Sequence, residues 1–322
     1  MIANYWEPWF TEKYGHHFPS TYMCIDTEFT GSDADKDIIV DIGHVIVEDG
    51  RVVDERSVLI DWTKTAKVDQ SWLRYKLDLV RANVRGNWNY SIERMRREGI
   101  SPDEALGFYA ELFAIWRKRN LPFVLQNGIT ADERLIRGNF ERFISKSFEF
   151  PADAYFDTGG IFKATQIIES VSADVAKHKM TAYPQAGDTL KSYFQRVIHV
   201  PIRGVHWSLK HILTSYGLDQ QHNVDSMSMH GACYDATCVH WIMEEMRKRV
   251  YRSNIVECPA DSGMALQRLF EQEQAMQLAT KGPIDRGIDK QPLDFETPKA
   301  SRSVAAVSPA ARQITRRRQR PA

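Results

Sequence analysis

Two acids one residue apart, Asp26 and Glu28, close the apolar run Tyr22-Met23-Cys24-Ile25. The run reads as a buried central strand. Side chains at i and i+2 of a strand share a face, so both carboxylates aim at one spot. Like charges that converge are costly unless a cation lies between them, and a hard divalent metal bound by oxygens is the simplest resolution. Three further residues bear on that spot. Asp132 falls in the first turn of the helix expected after the strand Leu121–Leu125, Asp235 in the first turn of a helix beginning near Ala232, and His230 five residues before Asp235. Four carboxylates arriving from separate elements, with one histidine, are the components of a two-metal phosphodiesterase. In such a site cations about 3.5–4 Å apart hold the attacking and leaving oxygens while the histidine deprotonates water. Imidazole suits that step because its unperturbed pKa is about 6.5. Each residue also has a plainer reading: a solvated strand end for Asp26 and Glu28, dipole-favoured helix acids for Asp132 and Asp235, a loop residue for His230.

The surrounding elements follow from pattern. Asp37–Val47 is rich in β-branched residues, Asp49-Gly50 supplies a hairpin turn, and Val52–Trp62 reads as the returning strand. Three strands in succession predict an antiparallel meander. Ser101-Pro102-Asp103-Glu104 is a strong helix start, running to about Lys118. Asn127-Gly128 forms a turn, with Thr130 expected to cap a helix over 131–146, and Tyr155-Phe156-Asp157 reads as a further strand. Leu209–Tyr216 reads as a helix stopped by Gly217. Residues 232–250 form the best amphipathic helix, with Cys238, Val239, Ile242, Met243 and Met246 on its apolar face. The order predicts an α/β fold: a mixed sheet flanked by helices, with its site at strand ends.

Segment 63–97 differs in character. Lys64, Lys67, Arg74, Lys76, Arg81, Arg85, Arg94, Arg96 and Arg97 outnumber the acids, and Trp72, Tyr75, Trp88 and Tyr90 are interleaved among them. Cations for phosphates and rings for bases would suit a single-stranded nucleic acid path. A helical insertion with a solvated basic face and tucked-in aromatics is the favoured reading. Residues 171–205 show no clear period.

The chain has 322 residues, 43% hydrophobic and 26% charged, as soluble globular proteins are. No stretch approaches the roughly 20 apolar residues of a membrane span, and the N-terminus lacks a secretory pattern. Cys24, Cys233, Cys238 and Cys258 make no Cys-x-x-Cys pair, which points to reduced thiols in a cytoplasmic setting. The net charge of zero hides a gradient. Residues 301–322 hold six arginines and no acid, leaving 36 basic against 42 acidic residues elsewhere. Global charge therefore does not signal nucleic-acid binding. The expected organisation is an extension over 1–20, a catalytic domain over 21–255 with insertions near 61–95 and 171–205, a helix over 256–280 (its core at 262–280), and a disordered Arg-rich tail over 281–322.

Together the quoted segments resemble a family. Asp26-Thr27-Glu28-Phe29-Thr30-Gly31 looks like the first motif of the DEDD exonuclease superfamily, and Gln126-Asn127-Gly128-Ile129-Thr130-Ala131-Asp132 is similar to the second. His230-Gly231-Ala232-Cys233-Tyr234-Asp235-Ala236 resembles the third motif of its DEDDh subgroup, to which RNase T, oligoribonuclease and the proofreading subunit of bacterial DNA polymerase III belong. Gln126 stands where the family has histidine, Ala131 where it has an aromatic and Gly231 where a basic residue is common; none of these is a ligand or the base. The resemblance implies an RNase H-like fold and 3′-5′ hydrolysis of single-stranded DNA or RNA to nucleoside monophosphates. It implies two Mg²⁺ or Mn²⁺ ions held by Asp26, Glu28 and Asp235 with Asp132 acting through water, and His230 as general base. It gives Thr27, Phe29, Thr30 and Asn127 contact with the substrate strand. It leaves a homodimer open, the 262–280 helix being the candidate contact. The rival readings are a non-catalytic nucleic-acid-binding module and an endonuclease of the same fold.

Overall fold

The computed structural model describes residues 18–84, 88–224 and 230–256, with side chains as far as Arg249. Residues 1–17 of the expected extension, Cys258, the 262–280 helix and the arginine-rich tail lie outside the described residues.

Three strands come first: β1 (Tyr22–Phe29), β2 (Ile39–Glu48) and β3 (Arg51–Leu59). Strand β1 is central, antiparallel to β2 and parallel to the short β4 (Phe123–Leu125), which pairs in parallel with β5 (Tyr155–Asp157). The five strands lie in the order β3-β2-β1-β4-β5, a mixed sheet of RNase H-like topology. Layers on both faces bury the β-branched runs of β1 and β2 almost throughout. The outer strand β3 keeps Arg51, Asp54, Glu55 and Arg56 on the sheet edge, where charge discourages edge pairing. Asp49 and Gly50 have φ of 50° and 75°, the positive pair that a two-residue hairpin needs. Strand β3 stops at Leu59, earlier than expected. Trp62, buried, instead opens a 3₁₀ turn and its indole donates to the Ile39 carbonyl at 2.7 Å.

The helices are α1 (Gln70–Asn83), α2 (Ile92–Glu98), α3 (Pro102–Lys118), α4 (Asp132–Ile144) and α5 (Thr158–Glu169). There follow α6 (Ala173–Ala176), α7 (Lys179–Ala182), α8 (Leu190–His199), α9 (Leu209–Tyr216), α10 (Leu218–Gln221) and α11 (Ala232–Val256). Helix α3 begins as its sequence predicts, the Ser101 hydroxyl accepting from the Glu104 amide. The Tyr109 hydroxyl on α3 donates to the Ile42 carbonyl and lies 3.1 Å from His44 Nδ1. Helix α11 packs on the opposite face, against β1 and β2, with Cys238, Val239, Ile242, Met243 and Met246 fully buried. Thr130 does not cap α4: its hydroxyl donates back to the Asn127 carbonyl, and Ala131, with no side chain able to cap, precedes the first turn. The segment 171–205, unreadable by period, holds the three helices α6, α7 and α8 joined by irregular stretches. Its α8 carries a Thr189–Ser192 capping box and buries Leu190, Tyr193, Phe194, Val197 and Ile198. No helix among the described residues is long and apolar enough to cross a membrane.

One contact governs how deeply α11 sits. A Cβ placed on Gly43 of β2 would lie 2.1 Å from the Ala232 carbonyl carbon and 2.3 Å from the Cys233 amide nitrogen. Only glycine lets the helix start rest on the strand. Replacing Gly43 with Ala is therefore expected to destabilise the protein by at least about 2 kcal/mol, as overpacked cores do. Chemical denaturation of the two proteins checks it.

Candidate active site

The site forms where β1 ends. Asp26 and Glu28 share the face on which α11 lies, opposite Gly43 and Asp41 of β2 respectively. The β1–β2 register slips between Glu28 and Phe29, a bulge that ends regular pairing beside the two acids. Because α11 rests on Gly43, its first turn carries Asp235 to the same place. His230 precedes the helix in a left-handed conformation (φ 70°), and its amide donates to Asp235 Oδ2 at 3.2 Å. Ligand atoms of Glu28, His230 and Asp235 all lie within 4.8 Å of one another.

Asp132 reaches the same strand end from the first turn of α4. One of its oxygens accepts from both the Thr27 amide, at 3.1 Å, and the Thr27 hydroxyl, at 2.6 Å. The turn before it is stapled from β5. The fully buried Asp157 carboxylate accepts from the amides of Asn127, Gly128 and Gly160, joining the turn after β4 to the start of α5.

Electrostatically these acids are crowded. Burial, then the Asp235, Asp132 and Glu28 carboxylates, hold Asp26 well above its ordinary value. Glu28 is raised by burial and by Asp235. Burial lifts Asp132 and Asp235 to about 6, against the hydrogen bonds they accept. Among the described residues no lysine or arginine is within salt-bridge distance of Asp26, Glu28, Asp132 or Asp235. Asp235 Oδ1 is buried without a hydrogen-bond partner. An orphaned carboxylate oxygen among unpaired acids fits a bound cation.

The residues expected to touch substrate are placed less uniformly. Thr27 is committed to Asp132. Thr30 is 1% exposed, its hydroxyl donating to Asp37 Oδ1 and accepting from the Ile38 amide. Phe29 is half-buried beside the bulge. Asn127 adopts φ 58° and keeps a buried, unpartnered side-chain oxygen. Gln126 links elements instead of facing the acids: its amide donates to the Trp207 carbonyl and its oxygen accepts from Thr158.

Three residues at the site were not assigned to it from the sequence. Asp41, paired with Glu28 across the ladder, is 2% exposed and raised to about 6, chiefly by burial. Trp88 donates its indole N–H to Glu28 Oε2 at 3.0 Å, and Tyr90 donates its hydroxyl to Asp41 Oδ2 at 2.8 Å. An acid inside the otherwise apolar β2 run was the available signal for Asp41. The two aromatics come from the 63–97 segment, whose bases are largely spent internally. Lys64 and Lys67 donate to the Gly99 and Phe143 carbonyls, Lys76 pairs with Asp37, Arg81 donates to the Tyr90 carbonyl, and Arg94 and Arg97 pair with Glu98.

No protein-family model and no curated protein matches this sequence. Among solved structures the chain is similar to exonuclease I of E. coli with a dA16 oligonucleotide, at 14% identity and a TM-score of 0.46 over 73% of this chain and 42% of that one. The zinc-bound form of that enzyme with single-stranded DNA gives 13%, 0.45, 73% and 42%. A dT13 complex gives 13%, 0.43, 74% and 44%. The chain thus spans less than half the length of each.

The crowding predicts a pH dependence. Asp132 and Asp235 titrate near 6 in the folded protein, against about 3.9 for an unfolded aspartate. Between those values the folded chain holds more protons, so this contribution to stability falls as pH rises from about 4 to 6. Asp235→Asn should accordingly raise the thermal midpoint of the metal-free protein at pH 7.5, and by clearly less near pH 4.5, the gain vanishing only below the unfolded value of about 3.9. Thermal melts in chelator at both pH values test this.

Proposed function

We propose that this protein is a metal-dependent 3′-5′ exonuclease that hydrolyses single-stranded DNA or RNA to nucleoside monophosphates. The carrying observation is the convergence of Glu28, His230 and Asp235 within 4.8 Å beside the acids Asp26 and Asp132, with Asp235 Oδ1 buried and unpartnered. A pure nucleic-acid-binding module has no use for buried carboxylates that repel the phosphate backbone, so the enzymatic reading is favoured over that rival.

In this reading Asp26, Glu28 and Asp235 hold two Mg²⁺ or Mn²⁺ ions, and Asp132 contributes through water. The bound ions supply a lowered water pKa and neutralise charge on the phosphodiester. His230 accepts the proton of the attacking water, its backbone fixed by the bond from its amide to Asp235. Thr27 anchors Asp132 to the end of β1. Phe29, half-buried beside the bulge, supplies the ring to wedge against a terminal base, and Asn127, in the turn before Asp132, the polar group toward the sugar end. Thr30 fixes the loop between β1 and β2 through its bonds to Asp37 and Ile38. The oligomeric state, monomer or homodimer, is to be read by sedimentation.

A 5′-labelled single-stranded oligonucleotide incubated with Mn²⁺ should shorten stepwise from its 3′ end; internal cuts would establish the endonuclease instead. Asp26→Ala should abolish the ladder. His230→Ala should lower kcat by roughly 10²- to 10⁴-fold, the range of general-base removal, while Mn²⁺ affinity by calorimetry stays unchanged. Loss of Mn²⁺ affinity in that variant would make His230 a ligand instead of the base.

A further inference from the structure

Among the described residues the buried indole and phenol donors take two kinds of acceptor. Trp62 donates to the Ile39 carbonyl and Trp116 to the Pro122 carbonyl. Tyr109 and Tyr193 likewise find the carbonyls of Ile42 and Ala182. These bonds satisfy a buried polar tip on backbone. Four others donate to carboxylates: Tyr22 to Glu244 and Tyr155 to Asp157, and, at the site itself, Trp88 to Glu28 and Tyr90 to Asp41, which face each other across the β1–β2 ladder.

The short stretch that carries them is clamped. Arg81 on α1 donates to the Tyr90 carbonyl at 2.7 Å, and Arg94 on α2 donates to the Asn89 carbonyl at 2.9 Å. The Arg94 guanidinium also lies 5.0 Å from the centre of the Tyr90 ring. The Trp88 and Tyr90 rings pack on each other at 5.0 Å, and the residues are 3% and 1% exposed. Two arginines of the basic segment thus hold two aromatic donors against two acids of the site.

We propose that Trp88 and Tyr90 are positioning residues of the metal centre. The Trp88 indole fixes one oxygen of Glu28 and leaves the other, Oε1, to a divalent cation, while the Tyr90 phenol holds Asp41 in register behind it. This rests on the reading of Asp26, Glu28 and Asp235 as metal ligands. Donors to ligating carboxylates fix ligand orientation, and their removal typically weakens metal binding by about 10- to 100-fold. The insertion would then serve the chemistry from behind, whatever else it contacts.

The test is Mn²⁺ titration of the full chain by calorimetry, in the absence of nucleic acid, on wild type, Trp88→Phe, Tyr90→Phe, Glu28→Gln and the Trp88→Phe/Glu28→Gln double variant. Phenylalanine keeps an aromatic ring at each position and deletes the donor. Trp88→Phe should raise the Mn²⁺ dissociation constant about tenfold, with a smaller rise for Tyr90→Phe. Nuclease activity of Trp88→Phe should return when Mn²⁺ is raised in proportion. In the Glu28→Gln background Trp88→Phe should add nothing, because its effect passes through Glu28. Wild-type affinity in Trp88→Phe, or an equal loss in both backgrounds, overturns the positioning role alone. Absence of Mn²⁺ binding by the wild-type chain overturns the metal reading and this proposal with it.

Discussion

Carboxylate repulsion at the end of β1 is the constraint to which the rest of the structure answers. Asp26, Glu28, Asp132 and Asp235 converge in largely buried space, with Asp41 beside them, and no basic side chain among the described residues neutralises them. Elsewhere the fold handles buried acids differently. Asp37 is paired with Lys76 at 2.6 Å, and Glu133 is paired with Lys191. Among the described residues these acids crowd together without a basic partner, held above their ordinary values chiefly by burial, and their donor set fits a cation.

Holding the acids in place falls to backbone and neutral donors. The amide and hydroxyl of Thr27 hold Asp132, the His230 amide holds Asp235, and Trp88 and Tyr90 hold Glu28 and Asp41. Neutral donors stabilise a carboxylate without quenching its charge, so the attraction for a divalent ion survives. Asp157, buried behind the site, does the same service in reverse: its carboxylate gathers three amides and fixes the turn from which Asp132 springs.

The basic, aromatic 63–97 segment shows why composition is a poor guide to role. Its aromatics and bases have the makings of a strand-binding path, yet most of the bases are bonded to the protein's own carbonyls and acids. Trp88 and Tyr90 are core residues, Trp72 is half-buried, and Tyr75, 62% exposed, is the aromatic left in solvent. A charge count sees side chains but not the partners that folding supplies.

What the sequence determined by itself is what depends on local spacing. The i, i+2 acids on an apolar run, the Asp-Gly hairpin, the Ser-Pro-Asp-Glu helix start and the apolar face of α11 were legible because strand and helix periods fix which residues share a face. The meeting of Asp26, Glu28, Asp132, His230 and Asp235 at one strand end was foreseeable from their elements. The packing that makes it possible was not. Gly43 beneath α11, Asp41 across the ladder, and the Trp88 and Tyr90 bonds arriving from an insertion are contacts between segments far apart in the chain. Such contacts leave no periodic trace, since each is set by close packing and by where a buried polar group finds its partner. Spacing therefore nominated the acids at the end of β1, and tertiary packing decided how they are held.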